Sequence, residues 1–233
     1  MSKPAIALSG VAKTFTMHLQ GGARLPAVAD IGFHVDFGEC LVLHGPSGSG
    51  KSTILKIIYG NYRCDAGRVS VREGAVETDV AIAAPRRILA LRRTTVGYVS
   101  QFLRVMPRVA ALDIVAGAAR EQGASAEEAR ARAAAMLRRL AVPERLWRLP
   151  PATFSGGEQQ RVNIARGLVA RHPILLLDEP TASLDAANRA NVVALIGEKK
   201  AAGVAILGIF HDEDVRDRVA DRIVDIARYA AAA

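Results

Sequence analysis

A chain of 233 residues, half of them hydrophobic and 5% aromatic, fits one large α/β domain, or one with an inserted lobe, and can bury a substantial core. No run approaches the roughly 18 consecutive apolar residues of a membrane helix. No charged-then-apolar leader opens the sequence, and Cys40 and Cys64 lack ligand spacing, so reduced thiols in a soluble, cytoplasmic protein are expected. The charge of +8 raises nucleic acid as a partner, but the arginines (Arg86, Arg87, Arg92, Arg93, Arg130, Arg132, Arg138, Arg139) are scattered and carry no interleaved aromatics. A basic face for an acidic protein partner is expected instead, with no nucleic acid.

Residues 5–11 and 31–37 alternate apolar with polar or small residues and predict strands of an antiparallel edge sheet, with Gly21-Gly22 as a turn between them. Cys40-Leu41-Val42-Leu43-His44 is a short apolar run that reads as a buried strand, and residues 54–59 have helical spacing. Between them, Gly45-Pro46-Ser47-Gly48-Ser49-Gly50-Lys51-Ser52-Thr53 matches G-x-x-x-x-G-K-[ST] without a gap. Strand, glycine-rich turn, helix is the context that a phosphate-binding loop requires. Gly45, Gly48 and Gly50 allow backbone angles at which amide N–H groups converge on an anion. Lys51 would reach the outer phosphates of ATP, and the Ser52 hydroxyl would ligate Mg²⁺. Two readings stay open for Phe15, shortly before the first turn: a stacking face for adenine, or an ordinary edge-strand phenylalanine.

Farther on, Asp65-Ala66-Gly67 reads as a turn and 68–72 as a strand; 74–90 is poorly patterned, with a break at Ala84-Pro85. Residues 95–100 form a strand ending in Gln101, and from Leu103 the pattern turns helical. Ser125 and Glu128 make an S-x-x-E capping box for a helix over 126–140. Pro143, Pro150 and Pro151 break the chain again, so 102–154 reads as a helical lobe inserted between 1–101 and 155–233 of a single domain.

Ser155-Gly156-Gly157-Glu158-Gln159-Gln160-Arg161 opens a helix to about residue 169, followed by the apolar strand 174–177 with Asp178 and Glu179 at its C-terminal end. A helix over 186–200 leads to a strand at 204–210, ending at His211. Alternating strands and helices imply a mostly parallel sheet whose ligands lie at the strands' C-terminal ends. The phosphate loop, Gln101, Asp178, Glu179 and His211 all fall there. Asp178 is expected to hold Mg²⁺, Glu179 to polarise the water that attacks the γ-phosphate, and His211 to sense or stabilise that phosphate. Ser155-Gly156-Gly157 at a helix start is a second anion site. Together with Asp185 in Ser183-Leu184-Asp185, it makes sense when each copy of a dimer presents that helix to nucleotide held by the other.

Phosphate loop, Gln101, Ser-Gly-Gly-Glu-Gln-Gln-Arg, Leu-Leu-Leu-Asp-Glu-Pro, Ser-Leu-Asp and His211, in that order, resemble the ABC-type ATPases over essentially the whole chain. The resemblance implies a P-loop α/β fold with a mostly parallel core sheet, an antiparallel β edge subdomain and an inserted helical subdomain. It further implies a head-to-tail dimer with two ATP molecules sandwiched between phosphate loops and opposed signatures, including Glu158. Gln101 would be a further Mg²⁺ ligand that links the site to the helical lobe. Phe154 and Glu158 stand where the family usually has leucine and glutamine. Blocks 94–105, 142–147, 153–167 and 209–213 resemble PhnL, the L subunit of the carbon–phosphorus lyase system, as do those two departures. That likeness implies an accessory ATPase in phosphonate breakdown, supporting formation of ribose 1-phosphonate 5-triphosphate. Its partners would be the core subunits G, H, I and J, and its dimer mate a second copy or the related K subunit. The alternatives are the ATPase of a lipoprotein-releasing type of membrane transporter, or a nucleotide-gated scaffold with little turnover.

Overall fold

The computed structural model describes residues 3–17, 21–101, 103 and 107–229. Two sheets form the frame. Strands β1 (Ile6–Met17), β2 (Ala23–Val35), β4 (Ala66–Glu73) and β5 (Val76–Asp79) make an antiparallel sheet in the order β2-β1-β4-β5. Strands β3 (Cys40–His44), β6 (Val96–Val99), β7 (Ile174–Asp178), β8 (Ala205–Ile209) and β9 (Arg222–Asp225) make a parallel sheet in the order β6-β7-β8-β3-β9. Both of its faces are covered, which is why its inner strands are continuous apolar runs rather than alternating ones. Leu41, Leu43, Ile174 and Leu176 point into one core, shared with the antiparallel sheet and helix α1 (Lys51–Ile58). Cys40, Val42, Leu175 and Leu177 point into the other, beneath α3 (Ala111–Arg120), α4 (Ala126–Arg139), α5 (Gly156–Val169), α6 (Ala186–Ala201) and α7 (Glu213–Val219).

Helix α4 shows how an alanine-rich sequence still specifies packing. Ala129, Ala133 and Leu137, four residues apart, are fully buried on one stripe, and charged residues fill the opposite side.

Several boundaries differ from the sequence expectation. Strands β1 and β2 run well past 5–11 and start well before 31–37, because register shifts near Val11 and Lys13 spoil the period-two pattern. Pro26 sits inside β2, which the sheet edge tolerates. Ala66 and Gly67, read as part of a turn, already belong to β4. Pro85 starts a helix rather than breaking one: it opens α2 (Pro85–Thr94), where its missing N–H costs nothing. The helical pattern expected from Leu103 begins only at Ala111; Phe102, Arg104 and Val105 of the block 94–105 lie outside the described residues. At Ser125 only half the capping box forms. Its hydroxyl accepts from the Glu128 N–H (3.1 Å), while the Glu128 carboxylate lies 3.7 Å from Arg132. Helix α7 and strand β9 were not anticipated.

Candidate functional site

The loop from β3 to α1 carries positive φ angles at Gly45 (141°), Gly48 (81°) and Gly50 (91°), a path that L-side chains rarely follow. At Gly50 the need for glycine is also steric, since a Cβ would stand 2.4 Å from Val28 Cγ1 and 2.7 Å from the Ala27 carbonyl oxygen. Lys51, the first residue of α1, is 8% exposed and donates to the carbonyls of Gly45 and Pro46, each at 2.7 Å. Burial pulls its pKa below the ordinary lysine value, against the opposing pull of Glu179 and Asp178.

Asp178 ends β7, a strand buried along its whole length, and is itself 4% exposed. Its Oδ1 accepts from Ser52 Oγ at 2.9 Å, and its Oδ2 from the Tyr98 hydroxyl at 2.8 Å. Burial, then the adjoining Asp178 charge, pushes the Tyr98 phenol well up. The donor set fits magnesium. Neighbouring ligands of an octahedral ion at about 2.05 Å are about 2.9 Å apart, which is the Ser52–Asp178 oxygen spacing. Among the described residues no group of three or more His, Cys, Asp or Glu could hold a metal. Further ligands would therefore come from phosphate oxygens and water, the usual way Mg²⁺ is held beside a nucleotide. Gln101 is turned elsewhere: its amide donates to Glu179 Oε2 at 2.8 Å.

Glu179 is the next residue, and its backbone lies in the left-handed region at φ 51°. A non-glycine residue held there costs on the order of 1–3 kcal/mol and persists where the surroundings dictate it. Its N–H donates to the Ile209 carbonyl (3.1 Å), which fastens it to the end of β8. Its Oε1 lies 2.7 Å from His211 Nε2, so the carboxylate is gripped by His211 on one oxygen and Gln101 on the other. The open cleft beside it has a volume of about 410 Å³. Ser47, Gly48, Gly50, Lys51, Ser52 and Thr53 form its floor, with Glu179 and His211 on one side.

The opposite wall is apolar: Phe15 with Leu25, Pro26 and Ala27. Phe15 meets Tyr62 edge to face (5.2 Å between centroids), and the Lys13 ammonium is 5.5 Å from its ring. Of these four residues only Phe15 stands out in the sequence. The other three sit on the stretch of β2 that the broken alternation concealed.

Ser155, Gly156, Gly157, Glu158 and Asp185 lie outside this cleft. Ser155 caps α5 with a complete capping box: Glu158 Oε2 accepts from the Ser155 N–H (2.9 Å) and Oγ (2.8 Å), and the Glu158 N–H donates back at 3.4 Å. These bonds, the side-chain one first, hold the Glu158 carboxyl below its usual range. Asp185 caps α6 through the Asn188 N–H at 2.8 Å. A Cβ on Gly157 would come within 3.1 Å of the Ser183 carbonyl, so the loop after Glu179 lies close against the start of α5. Gln160 donates to the Pro180 carbonyl at 3.0 Å and Asn163 to that of Ser100 at 2.6 Å.

A second, polar cavity of about 570 Å³ is lined by Asp178 and Tyr98 together with Ser52 and Gln101. Here Arg92 and Arg93 converge with Lys56 and Arg166, which sequence spacing did not foretell. By contrast Arg87, Arg130, Arg132, Arg138 and Arg139 each face a carboxylate.

A glycine-rich loop between a parallel strand and a helix, with serine and aspartate oxygens meeting beneath it, defines a P-loop nucleotide-binding protein. The family described as ABC transporter matches residues 28–182, and the chain belongs to that family. The chain has the ABC cassette fold. The ATP-binding cassette MJ0796, solved as a dimer in a post-hydrolysis state bound to ADP and Pi, superimposes with a TM-score of 0.85 at 30% identity, covering 94% of this chain and 93% of that one. The lipoprotein-releasing system ATP-binding protein LolD 2 of Caulobacter vibrioides is 39% identical over 96% of this chain and 95% of its own length. The macrolide export ATP-binding/permease protein MacB of Sodalis glossinidius is 38% identical over 97% of this chain. The chain spans only about a third of the MacB relatives' length. No described helix is long and apolar enough to cross a membrane.

Proposed function

We propose that the chain binds ATP with Mg²⁺ in the phosphate-loop cleft and hydrolyses it as one half of a head-to-tail dimer. The observation that carries this reading is the convergence of Ser52 and Asp178 with a strained Glu179 between Gln101 and His211 at one edge of the cleft. Lys51 and the loop amides bind the phosphates, and the Phe15 wall takes the base. Ser52 and Asp178 would hold the cation, which would supply neutralisation of charge on the transferring phosphate. Glu179 accepts a proton from the attacking water as the new P–O bond forms and the bond to the ADP oxygen breaks. His211 orients the carboxylate and the terminal phosphate. Ser155, Gly156, Gly157, Glu158 and Asp185 serve the nucleotide of the opposite chain, since none of them reaches the cleft of their own. Glu179→Gln should lower turnover by about 10²–10⁴-fold, the range of a general base, with ATP binding retained. Turnover equal to wild type would sink the assignment.

The finer role proposed is that of the cytoplasmic ATPase of the carbon–phosphorus lyase system. The residue blocks 94–105, 142–147, 153–167 and 209–213 and the departures Phe154 and Glu158 support it. In this reading the basic cavity at Arg92, Arg93 and Arg166 faces an acidic surface of a G, H, I or J subunit. A second reading is favoured by the similarity to LolD over the full length of both chains. Under it the partner is a permease, and residues 102–112 meet its helices. Affinity purification of tagged protein from phosphate-starved cells, followed by mass spectrometry, separates the two. Lyase subunits in stoichiometric amount support the first; a polytopic permease overturns it.

A further inference from the structure

Asp178 has two carboxylate oxygens, and an unrestrained carboxylate can offer a cation either one or both. Mg²⁺ demands near-ideal octahedral geometry, so a carboxylate held in one orientation serves it better than a turning one. In this chain the two oxygens have separate partners: Ser52 Oγ at Oδ1 (2.9 Å) and the Tyr98 hydroxyl at Oδ2 (2.8 Å). Ser52 belongs to the phosphate-loop helix, on the nucleotide side. Tyr98 comes from the opposite direction, out of β6, where it pairs in register with Leu176 of β7 two residues before Asp178.

The tyrosine is itself braced. Its ring packs against Tyr59 (5.1 Å between centroids, 32° between planes), and the Arg92 guanidinium lies 4.5 Å from the Tyr59 ring centroid. Arg92 is in turn anchored by the Tyr59 carbonyl at 2.9 Å and by Asn61 at 2.8 Å. Ser52 Oγ and Asp178 Oδ1 would hold a cation at the expense of the hydrogen bond between them, whereas the Tyr98 bond engages the other oxygen.

We propose that Tyr98 is a positioning residue for magnesium: its hydroxyl fixes Asp178 Oδ2, so that Oδ1 is the oxygen presented to the cation beside Ser52. The inference rests on the nucleotide reading of the cleft. Groups that orient a metal ligand from behind typically change metal affinity by about 10–100-fold when removed. Tyr98→Phe keeps the ring and its packing and deletes only the hydroxyl.

The test compares wild type and Tyr98→Phe in three measurements: affinity for ATP in EDTA, affinity for ATP with Mg²⁺, and Mn²⁺ binding in the presence of ATP followed by electron paramagnetic resonance. The thermal midpoint of each protein without nucleotide reports folding. Wild type should bind ATP more tightly with the metal than without. Tyr98→Phe should bind ATP in EDTA as wild type does, yet need about tenfold more metal for half-saturation, with an altered Mn²⁺ spectrum. A merely structural tyrosine would shift the midpoint and weaken both forms of ATP alike. Unchanged metal half-saturation, or equal weakening with and without metal, overturns the proposal. Failure of wild type to bind ATP under either condition overturns the nucleotide reading beneath it. As a control on the brace, Tyr59→Phe retains the ring stack and should leave the metal requirement unchanged.

Discussion

Glu158 places its own carboxylate on the donors that a phosphate would use at the start of α5. It accepts from both the N–H and the hydroxyl of Ser155, and these bonds hold its carboxyl below the usual range. In the proposed dimer an incoming γ-phosphate of the opposite chain would therefore compete with an internal anion and lie close to its charge. Glu158→Gln keeps an N3 acceptor for the capping box and removes that charge. A single unit charge at about 4 Å in water is worth about 1 kcal/mol, close to fivefold in affinity. The ATP concentration for half-maximal pairing should fall by about that factor, measured by light scattering across an ATP titration. An unchanged or higher requirement would show that Glu158 does not oppose closure. Glu179 is the converse case: its left-handed backbone is a local cost, kept where the N–H bond to Ile209 and the grip of Gln101 and His211 hold it.

Strand β6 connects the site to the rest of the fold more directly than its four residues suggest. From one strand end, Tyr98 holds Asp178 and Gln101 holds Glu179, so any displacement of β6 reaches both carboxylates. The start of β6 is tied down by Glu73, the last residue of β4. It accepts from Thr94 (2.6 Å) and Thr95 (2.7 Å) and pairs with Arg87 (3.0 Å), joining the antiparallel sheet to the edge of the parallel one. The threonine hydrogen bonds hold the Glu73 carboxyl below its usual range. A carboxyl depressed in the folded state binds fewer protons there than in the unfolded chain. Its contribution is therefore complete above the unfolded value, about 4.3, and is lost as pH falls through the folded value. Glu73→Gln should flatten the loss of stability below about pH 4.3 relative to wild type, read from urea midpoints across the acid range. An identical slope in the two proteins would remove Glu73 from that role.

At the scale of the whole molecule, what was legible in the sequence was what depends on local chemistry. The phosphate loop announces itself because only glycines tolerate its backbone, and Asp178 and Glu179 because two acids end an otherwise apolar strand. What escaped depends on register and assembly. Tyr98 reaches Asp178 only because β6 and β7 pair as they do, which no local pattern encodes. The apolar wall of Leu25, Pro26 and Ala27 lies on an edge strand whose bulges and proline erase the period-two signal. Strand β9 is short, half-exposed and charged at both ends, and it becomes a strand by pairing with β3. Lys56, the adjacent Arg92 and Arg93, and Arg166 come from three separate stretches of sequence, yet they line one cavity because α1, α2 and α5 converge at the β6 edge.

The same distribution separates the two halves of the proposed reaction centre. The phosphate-loop cleft and the start of α5 are distinct surfaces of one chain, and no residue of α5 lines the cleft. The most direct test is the solution mass of Glu179→Gln, measured by light scattering with and without ATP and Mg²⁺. The account predicts a single-chain mass near 24.8 kDa without nucleotide and twice that with it, reverting to the single-chain value when Ser155→Arg is added. A protein that binds ATP yet stays at the single-chain mass, or that pairs regardless of nucleotide and of Ser155, would contradict a shared site.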